Sequence, residues 1–226
     1  MTNPLTTKKR IVFCDFDGTI TVNDNIIAII KHFNPAGWEE IATRTISTEL
    51  SIKDGVGQLF RLIPASMQNE VVSFGISNAK IREGFAEFLA YCKKNDIDFY
   101  VTSGGIEFFV YPILESFDIP RDHIYCNASD FTGKQIEILW PHPCDGHCSN
   151  NCGMCKTTIM RNFPADQYER IIIGDSVTDF EGAKLADAVY SRSHLTTKCK
   201  ELGIDHKEYE TFFDIIDAMN AERKTT

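Results

Sequence analysis

Three short apolar runs each stop at a polar turn, and this repetition constrains the fold more than any other feature of the chain. Ile11-Val12-Phe13-Cys14 runs into Asp15, Phe99-Tyr100-Val101 into Thr102-Ser103-Gly104-Gly105, and Ile171-Ile172-Ile173 into Gly174-Asp175-Ser176. Unbroken β-prone runs without polar alternation are expected of parallel strands covered on both faces. In open α/β sheets the ligand crevice lies beyond the carboxyl ends of such strands, so the three turns are expected to converge.

Helical periodicity fills the intervals. Phe85, Phe88, Leu89 and Cys92 share one stripe ahead of the second strand, and Phe212, Phe213, Ile216 and Met219 share another near the C-terminus. Between them Phe108 to Phe117 reads as a helix that Pro112 should kink or restart. Strands alternating with helices favour a doubly wound parallel sheet. Residues 23–84 do not fit that alternation, because they carry helical stripes only: Ile26, Ile29, Ile30 and Phe33, then Val56, Leu59, Phe60 and Ile63. The second stripe is opened by Ser51 with Asp54 three positions on, a capping-box-like start. The expected architecture is therefore an α/β, Rossmann-like core over residues 1–22 and 85–226 with a helical cap inserted at 23–84. Arg223 to Thr226 is expected to be a disordered tail.

Composition narrows the function classes. The chain has 226 residues, enough for one core with an insertion, and 32 acidic against 23 basic residues give a net charge of -9. Such a balance does not draw a protein to nucleic acid or to anionic lipid. Met1 to Arg10 has charge but no apolar stretch behind it, and no apolar run approaches the roughly 18 residues of a membrane helix. No nucleic-acid partner, no membrane partner and a cytoplasmic location are expected. Trp38 and Trp140 fit either a core or an interface, so oligomeric state is not legible.

The chemistry centres on Asp15-Phe16-Asp17-Gly18-Thr19. Two carboxylates at the end of a buried strand are costly unless a metal ion or a basic side chain meets them. Placed after a strand, this segment resembles the first motif of the haloacid-dehalogenase-like phosphohydrolases. The family's other motifs follow in order: Ser103 at the end of the second strand, Lys156 at a helix start, and Asp175 with Asp179 after the third strand. The resemblance covers nearly the whole chain and implies a phosphoric monoester hydrolase acting on a small phosphorylated metabolite.

It also implies roles. Asp15 would be the nucleophile, forming an aspartyl-phosphate, and Asp17 the general acid and then base. Ser103, with Gly104 and its neighbour Gly105, and Lys156 would hold the phosphoryl group. Mg²⁺ is the implied cofactor, with Asp15, Asp175 and the Asp17 carbonyl as ligands and Asp179 supporting them from behind. Gly18 would permit the sharp turn that aims both carboxylates at one place.

Four cysteines crowd one segment immediately before Lys156: Cys144, Cys148, Cys152 and Cys155, with His142 and His147 alongside. The C-x2-C end resembles a zinc or redox pair, while the x3 spacings depart from two-knuckle zinc patterns. Structural Zn²⁺, free or partly oxidised thiols, and an iron–sulfur cluster all remain open, and a purely metal- or redox-sensing module is the non-enzymatic alternative.

The inserted helices make the chain similar to the phosphoserine-phosphatase-like branch, and specificity is expected there. Asp24 aligns with the acidic residue that meets the substrate amine. Leu59 falls near the position of the arginine that meets the substrate carboxylate, and it offers apolar contact with Phe60 and Ile46 instead; Arg61 lies close by. Phosphoserine is disfavoured on that ground. The cysteine-rich stretch also looks like that of phosphoethanolamine/phosphocholine phosphatases. The fullest resemblance is to the methionine-salvage branch, whose phosphate ester carries a methylthio tail and no carboxylate.

Overall fold

A computed structural model of the chain describes residues 8–225. Most of the segment Met1 to Arg10 lies outside them, as does Thr226. Seven strands form one sheet: β1 (Lys9–Cys14), β2 (Asp98–Ile106), β3 (Ile124–Asp130), β4 (Glu137–Leu139), β5 (Tyr168–Gly174), β6 (Ala188–Ser191) and β7 (Lys207–Glu208). Their order is β4-β3-β2-β1-β5-β6-β7, parallel except where β4 runs against β3. The three strands expected from the sequence are the central ones, and the other four frame them.

Register explains why the strand ends meet. Cys14 pairs with Val101 on β2 and with Ile173 on β5, so Asp15, Thr102 and Gly174 stand in one row across the three strands. The Asp15 amide still donates to the Ile173 carbonyl, at 2.9 Å. Chain order reverses across β1, with β2 and β3 laid down on one side and β5 to β7 on the other. The row therefore stands at the topological switch point, where open α/β sheets hold their ligands.

The sheet is covered on both faces, as unbroken apolar strands require. Ile11, Phe13 and Ile172 point into one core with Ile159, Met160, Ala183, Leu195 and Cys199. These come from α7 (Lys156–Arg161), α8 (Phe180–Ala183) and α9 (Ser193–Leu202). Val12, Cys14, Val101, Ile171 and Ile173 point into the larger core on the opposite face. There they meet α5 (Phe85–Lys94), α6 (Glu107–Leu114) and α10 (Phe212–Thr225). Pro112 does not restart α6; it sits in the last turn, two residues before the end at Leu114, and only the single bond to the Phe108 carbonyl is lost. Of the tail expected to be disordered, Arg223 to Thr225 is instead helical, since α10 runs through Thr225 and Arg223 bonds Asn95.

Between β1 and α5 the chain makes four helices, α1 (Asn25–Phe33), α2 (Trp38–Ile46), α3 (Ile52–Arg61) and α4 (Gln68–Asn78). They are entered and left side by side. Thr21 bridges Ile81 antiparallel, Val22 N–H donates to the Lys80 carbonyl and Arg82 N–H to the Ile20 carbonyl, both at 2.8 Å. Each helix start has a local cause. The Asp24 carboxylate caps α1 by accepting from the Ile27 amide, and the Ser51 hydroxyl caps α3 by accepting from the Asp54 amide. No helix among the described residues is long and apolar enough to cross a membrane.

Candidate active site

At the end of β1 the backbone cannot continue straight, because Gly18 takes a left-handed φ of +77°. A Cβ there would drive into the Asp175 carboxylate, so glycine is demanded twice over, by conformation and by space. The turn that results sets Asp15 and Asp17 on the same side of the sheet edge.

Asp15 is 5% exposed, and its Oδ1 accepts from Lys156 Nζ at 2.7 Å. Lys156 opens α7, is 3% exposed, and bonds Asp179 as well. Carboxylate oxygens of Asp15, Asp175 and Asp179 lie within 4.8 Å of one another. Asp179 is fully committed: its second oxygen accepts from the amides of Asp175 (3.2 Å) and Ser176 (3.1 Å). It fixes the turn after β5, and Gly174 leaves it the space, since a Cβ there would strike its carboxylate.

Charge at this point is unbalanced. Burial first, and then the charge of Asp179, push the Asp15 carboxyl well above its ordinary range against the pull of Lys156. The same two causes carry Asp175 to about 6. Burial works to lower the Lys156 ammonium, but the carboxylates of Asp15 and Asp179 outweigh it and hold it above its usual value. Three clustered carboxyls share one buried ammonium, and every donor is a hard oxygen. That donor set fits a small divalent cation such as Mg²⁺.

Asp17 faces differently and is not part of that cluster. Its Oδ1 accepts from the Asn25 amide at 2.9 Å and the Asn25 side chain at 2.7 Å, while its Oδ2 is buried with no partner. Burial, with the Asp24 charge adding, moves it to about 7 despite the two bonds from Asn25. The free oxygen looks toward β2: a Cβ on Gly105 would come 2.8 Å from it and 2.9 Å from Ser103 Oγ. Ser103 itself is fully buried, with its hydroxyl accepting from the Gly105 amide at 2.8 Å. Asn127 on β3 donates to the Gly104 carbonyl at 2.7 Å and holds this turn in place.

Two polar side chains not anticipated from the sequence complete the arrangement. Asn25 is the first. The second is Arg82, 6% exposed, whose guanidinium donates to the carbonyls of Thr19 and Gly18, each at 2.7 Å, and to that of Glu210 at 3.1 Å. One residue at the exit of the helical insertion thus grips the loop at its entrance. A lone Asn beside a cap and a lone Arg beside a strand carry no sequence signal of such use.

The residues expected to read the substrate are engaged as follows. Leu59 and Phe60 are 3% and 0% exposed and pack into the core, Phe60 against the Phe108 ring at 6.1 Å. Arg61 is held on the surface by Glu137 at 2.8 Å. Ile46 stands exposed at the end of α2. Asp24 spends its carboxylate on the α1 cap, near enough to Asp17 for its charge to act there. Cavity size does not mark the site. The larger cavity, about 400 Å³, lies by Tyr111, Phe117 and Arg121 and shares no residue with the carboxylates, whereas a cleft of about 160 Å³ beside Lys156 is lined by Ile52, Cys152, Val177 and Glu181.

In the cysteine segment the four Sγ atoms lie within 4.8 Å of one another, and none of the four is joined in a disulfide. His142 and His147 do not join them; the ligand group there among the described residues is Cys144, Cys148, Cys152 and Cys155 alone.

Residues 12–184 match the family model of the haloacid dehalogenase-like hydrolases. The chain belongs to that family. It is a phosphoric monoester hydrolase, and family members of this kind use Mg²⁺, in keeping with the oxygen donors at the strand ends. Among similar hydrolases, 2-hydroxy-3-keto-5-methylthiopentenyl-1-phosphate phosphatase of Brevibacillus brevis is 50% identical over 209 residues, 92% of this chain and 94% of its own. The enzyme of that name from Geobacillus kaustophilus is 48% identical over 213 residues, 94% of this chain and 96% of its own. A solved substrate-bound phosphoserine phosphatase has the same fold at a TM-score of 0.69 and 17% identity, covering 94% of this chain and 99% of its own.

Proposed function

We propose that this hydrolase cleaves 2-hydroxy-3-keto-5-methylthiopentenyl-1-phosphate to 1,2-dihydroxy-3-keto-5-methylthiopentene and phosphate, a step of methionine salvage, through a phosphoryl group carried on Asp15. One observation carries the chemical half. Asp15 stands beside a buried ammonium at 2.7 Å, with Asp175 and Asp179 grouped about it and the unpartnered oxygen of Asp17 turned toward Ser103. The substrate half rests on curated relatives about half identical along almost the whole chain.

A carboxylate approaching a phosphate dianion meets repulsion of about 4 kcal/mol per pair of unit charges at about 4 Å and an effective dielectric of about 20. Mg²⁺ held by Asp15, Asp175 and the Asp17 carbonyl would offset that repulsion and polarise the phosphoryl oxygens. An Asp15 oxygen attacks phosphorus and the ester P–O bond breaks, while Asp17 delivers a proton to the leaving oxygen. Water then attacks the same phosphorus, Asp17 takes its proton, and the bond to Asp15 breaks. Ser103, the Gly104–Gly105 turn and Lys156 hold the phosphoryl oxygens throughout. Asn25 keeps Asp17 aimed. Asn25→Ala is expected to lower kcat roughly 10-fold or more with the fold intact; steady-state kinetics beside circular dichroism checks this.

Residues 23–84 are proposed as a cap that closes over the substrate and limits water during the first transfer. With Leu59 and Phe60 buried, the surfaces left to meet the methylthio tail belong to other faces of that cap. The cysteine segment has soft donors, suited to Zn²⁺ rather than Mg²⁺, and does not itself contact the phosphoryl group.

The test is a substrate panel. The enol-phosphate ester should exceed phosphoserine, phosphocholine and phosphoethanolamine in kcat/KM by at least about 100-fold, the discrimination expected where a mismatched substrate leaves buried charge unpaired. Preference for any of the other three would replace the substrate and leave the chemistry standing.

A further inference from the structure

We propose that the segment between β4 and α7 is a structural zinc site with four thiolate ligands, Cys144, Cys148, Cys152 and Cys155, and that the bound ion fixes the position of Lys156. The first ground is distance. All four sulfurs fall within 4.8 Å of one another, and Cys148 and Cys152 are 3.9 Å apart. A tetrahedral ion with Zn–S bonds of about 2.3 Å sets its sulfurs about 3.8 Å apart. A disulfide needs about 2.05 Å. Thiolates of an iron–sulfur cluster are spread over several irons and stand farther apart than four that share one ion.

The second ground is what surrounds the sulfurs. The Cys152 amide donates to Cys144 Sγ at 3.4 Å, the kind of N–H···S bond that supports a thiolate ligand. Between Cys152 and Cys155, Gly153 adopts a φ of +82° with the Trp140 ring filling the place of a side chain, so the C-x2-C turn is built. Four thiolates on Zn²⁺ leave two negative charges. Arg161 forks onto Asp145, the neighbour of Cys144, at 2.7 and 2.5 Å, which sets a cation beside the segment. The Asp145 amide in turn donates to Thr158 on α7 at 3.1 Å.

The third ground is connection. Cys155 is the N-cap of α7, and Lys156 is its first residue. An ion holding Cys155 therefore holds the backbone from which Lys156 reaches Asp15. On the other side, Asn151 donates to Ser51 Oγ at 2.9 Å and Asp54 Oδ2 at 3.1 Å, at the start of α3. One knuckle links the helical insertion to the buried lysine. The zinc site stands on its own geometry, while its bearing on turnover rests on the reading of Lys156 as a partner of the phosphoryl group.

Metal analysis of the full-length protein separates the two. Purified protein dialysed against EDTA, which removes Mg²⁺, should keep about one zinc per chain, as expected of a closed four-thiolate site. Protein produced with cobalt should show thiolate-to-cobalt charge-transfer absorption. Cys148→Ser should lose metal and absorption together and lower kcat roughly 10- to 100-fold, while Cys148→His, which keeps a zinc ligand, should recover both. Zinc-free protein with reactive thiols, disulfides, or iron with sulfide would each overturn the site. Zinc lost from a folded Cys148→Ser protein with kcat unchanged would overturn the link to Lys156.

Discussion

Asp15→Asn is expected to reduce kcat at least about ten-thousand-fold, since an amide cannot carry the phosphoryl group and a carboxylate nucleophile has no substitute nearby. Asp175 sits within the same 4.8 Å cluster but beyond a glycine turn, and Asp179 has both oxygens occupied. Neither can take over the attack. The fold should survive. Asp15 is 5% exposed among carboxyls that outnumber the one ammonium, so a neutral isostere relieves repulsion and leaves Lys156 paired with Asp179. The melting temperature of the metal-free variant is expected at or above that of the parent. A pre-steady-state burst of product would vanish with the turnover.

Lys156→Met should be damaging in both respects. Methionine fills most of the space but removes the ammonium, and Asp15 and Asp179 then face each other at a site 3% exposed with nothing positive between them. Breaking a buried pair by removing one partner costs about 3–5 kcal/mol. Denaturant unfolding should register that loss, in contrast to Asp15→Asn. Turnover should also fall, by about 10²- to 10³-fold, the scale for losing one fixed stabiliser of transition-state charge. Arginine is no safe replacement, because a planar fork does not fit a pocket shaped around a point charge. Stability unchanged in Lys156→Met would mean that the ion pair is not the balance point of the site.

How far the sequence carried the fold depends on how each strand is buried. β1, β2 and β5 lie at the centre of the sheet, so their apolar runs are continuous and their polar ends abrupt. β3 mixes Tyr125, Asn127 and Ser129 into its run, and β6 and β7 have four and two residues, too few for a pattern. The Ser51 cap was legible because a cap is a local bond. The grip of Arg82 on Gly18 and Thr19 was not, since it joins positions more than sixty residues apart across the neck of the insertion. Leu59 and Phe60 show a related limit. A helical stripe tells that a face is covered, but not whether protein or substrate covers it, and here protein does. Asn25 shows the same limit from the polar side: its sequence neighbours point to the cap at Asp24, whereas its own amide is spent on Asp17.

The most direct test is to quench the enzyme in acid during turnover of substrate labelled in its phosphate, then digest it and map the label. Label is expected on the peptide spanning residues 11–31, at Asp15, released by hydroxylamine and absent from Asp15→Asn. Label on another side chain, or full turnover without any labelled peptide, would contradict a phosphoryl group carried on Asp15.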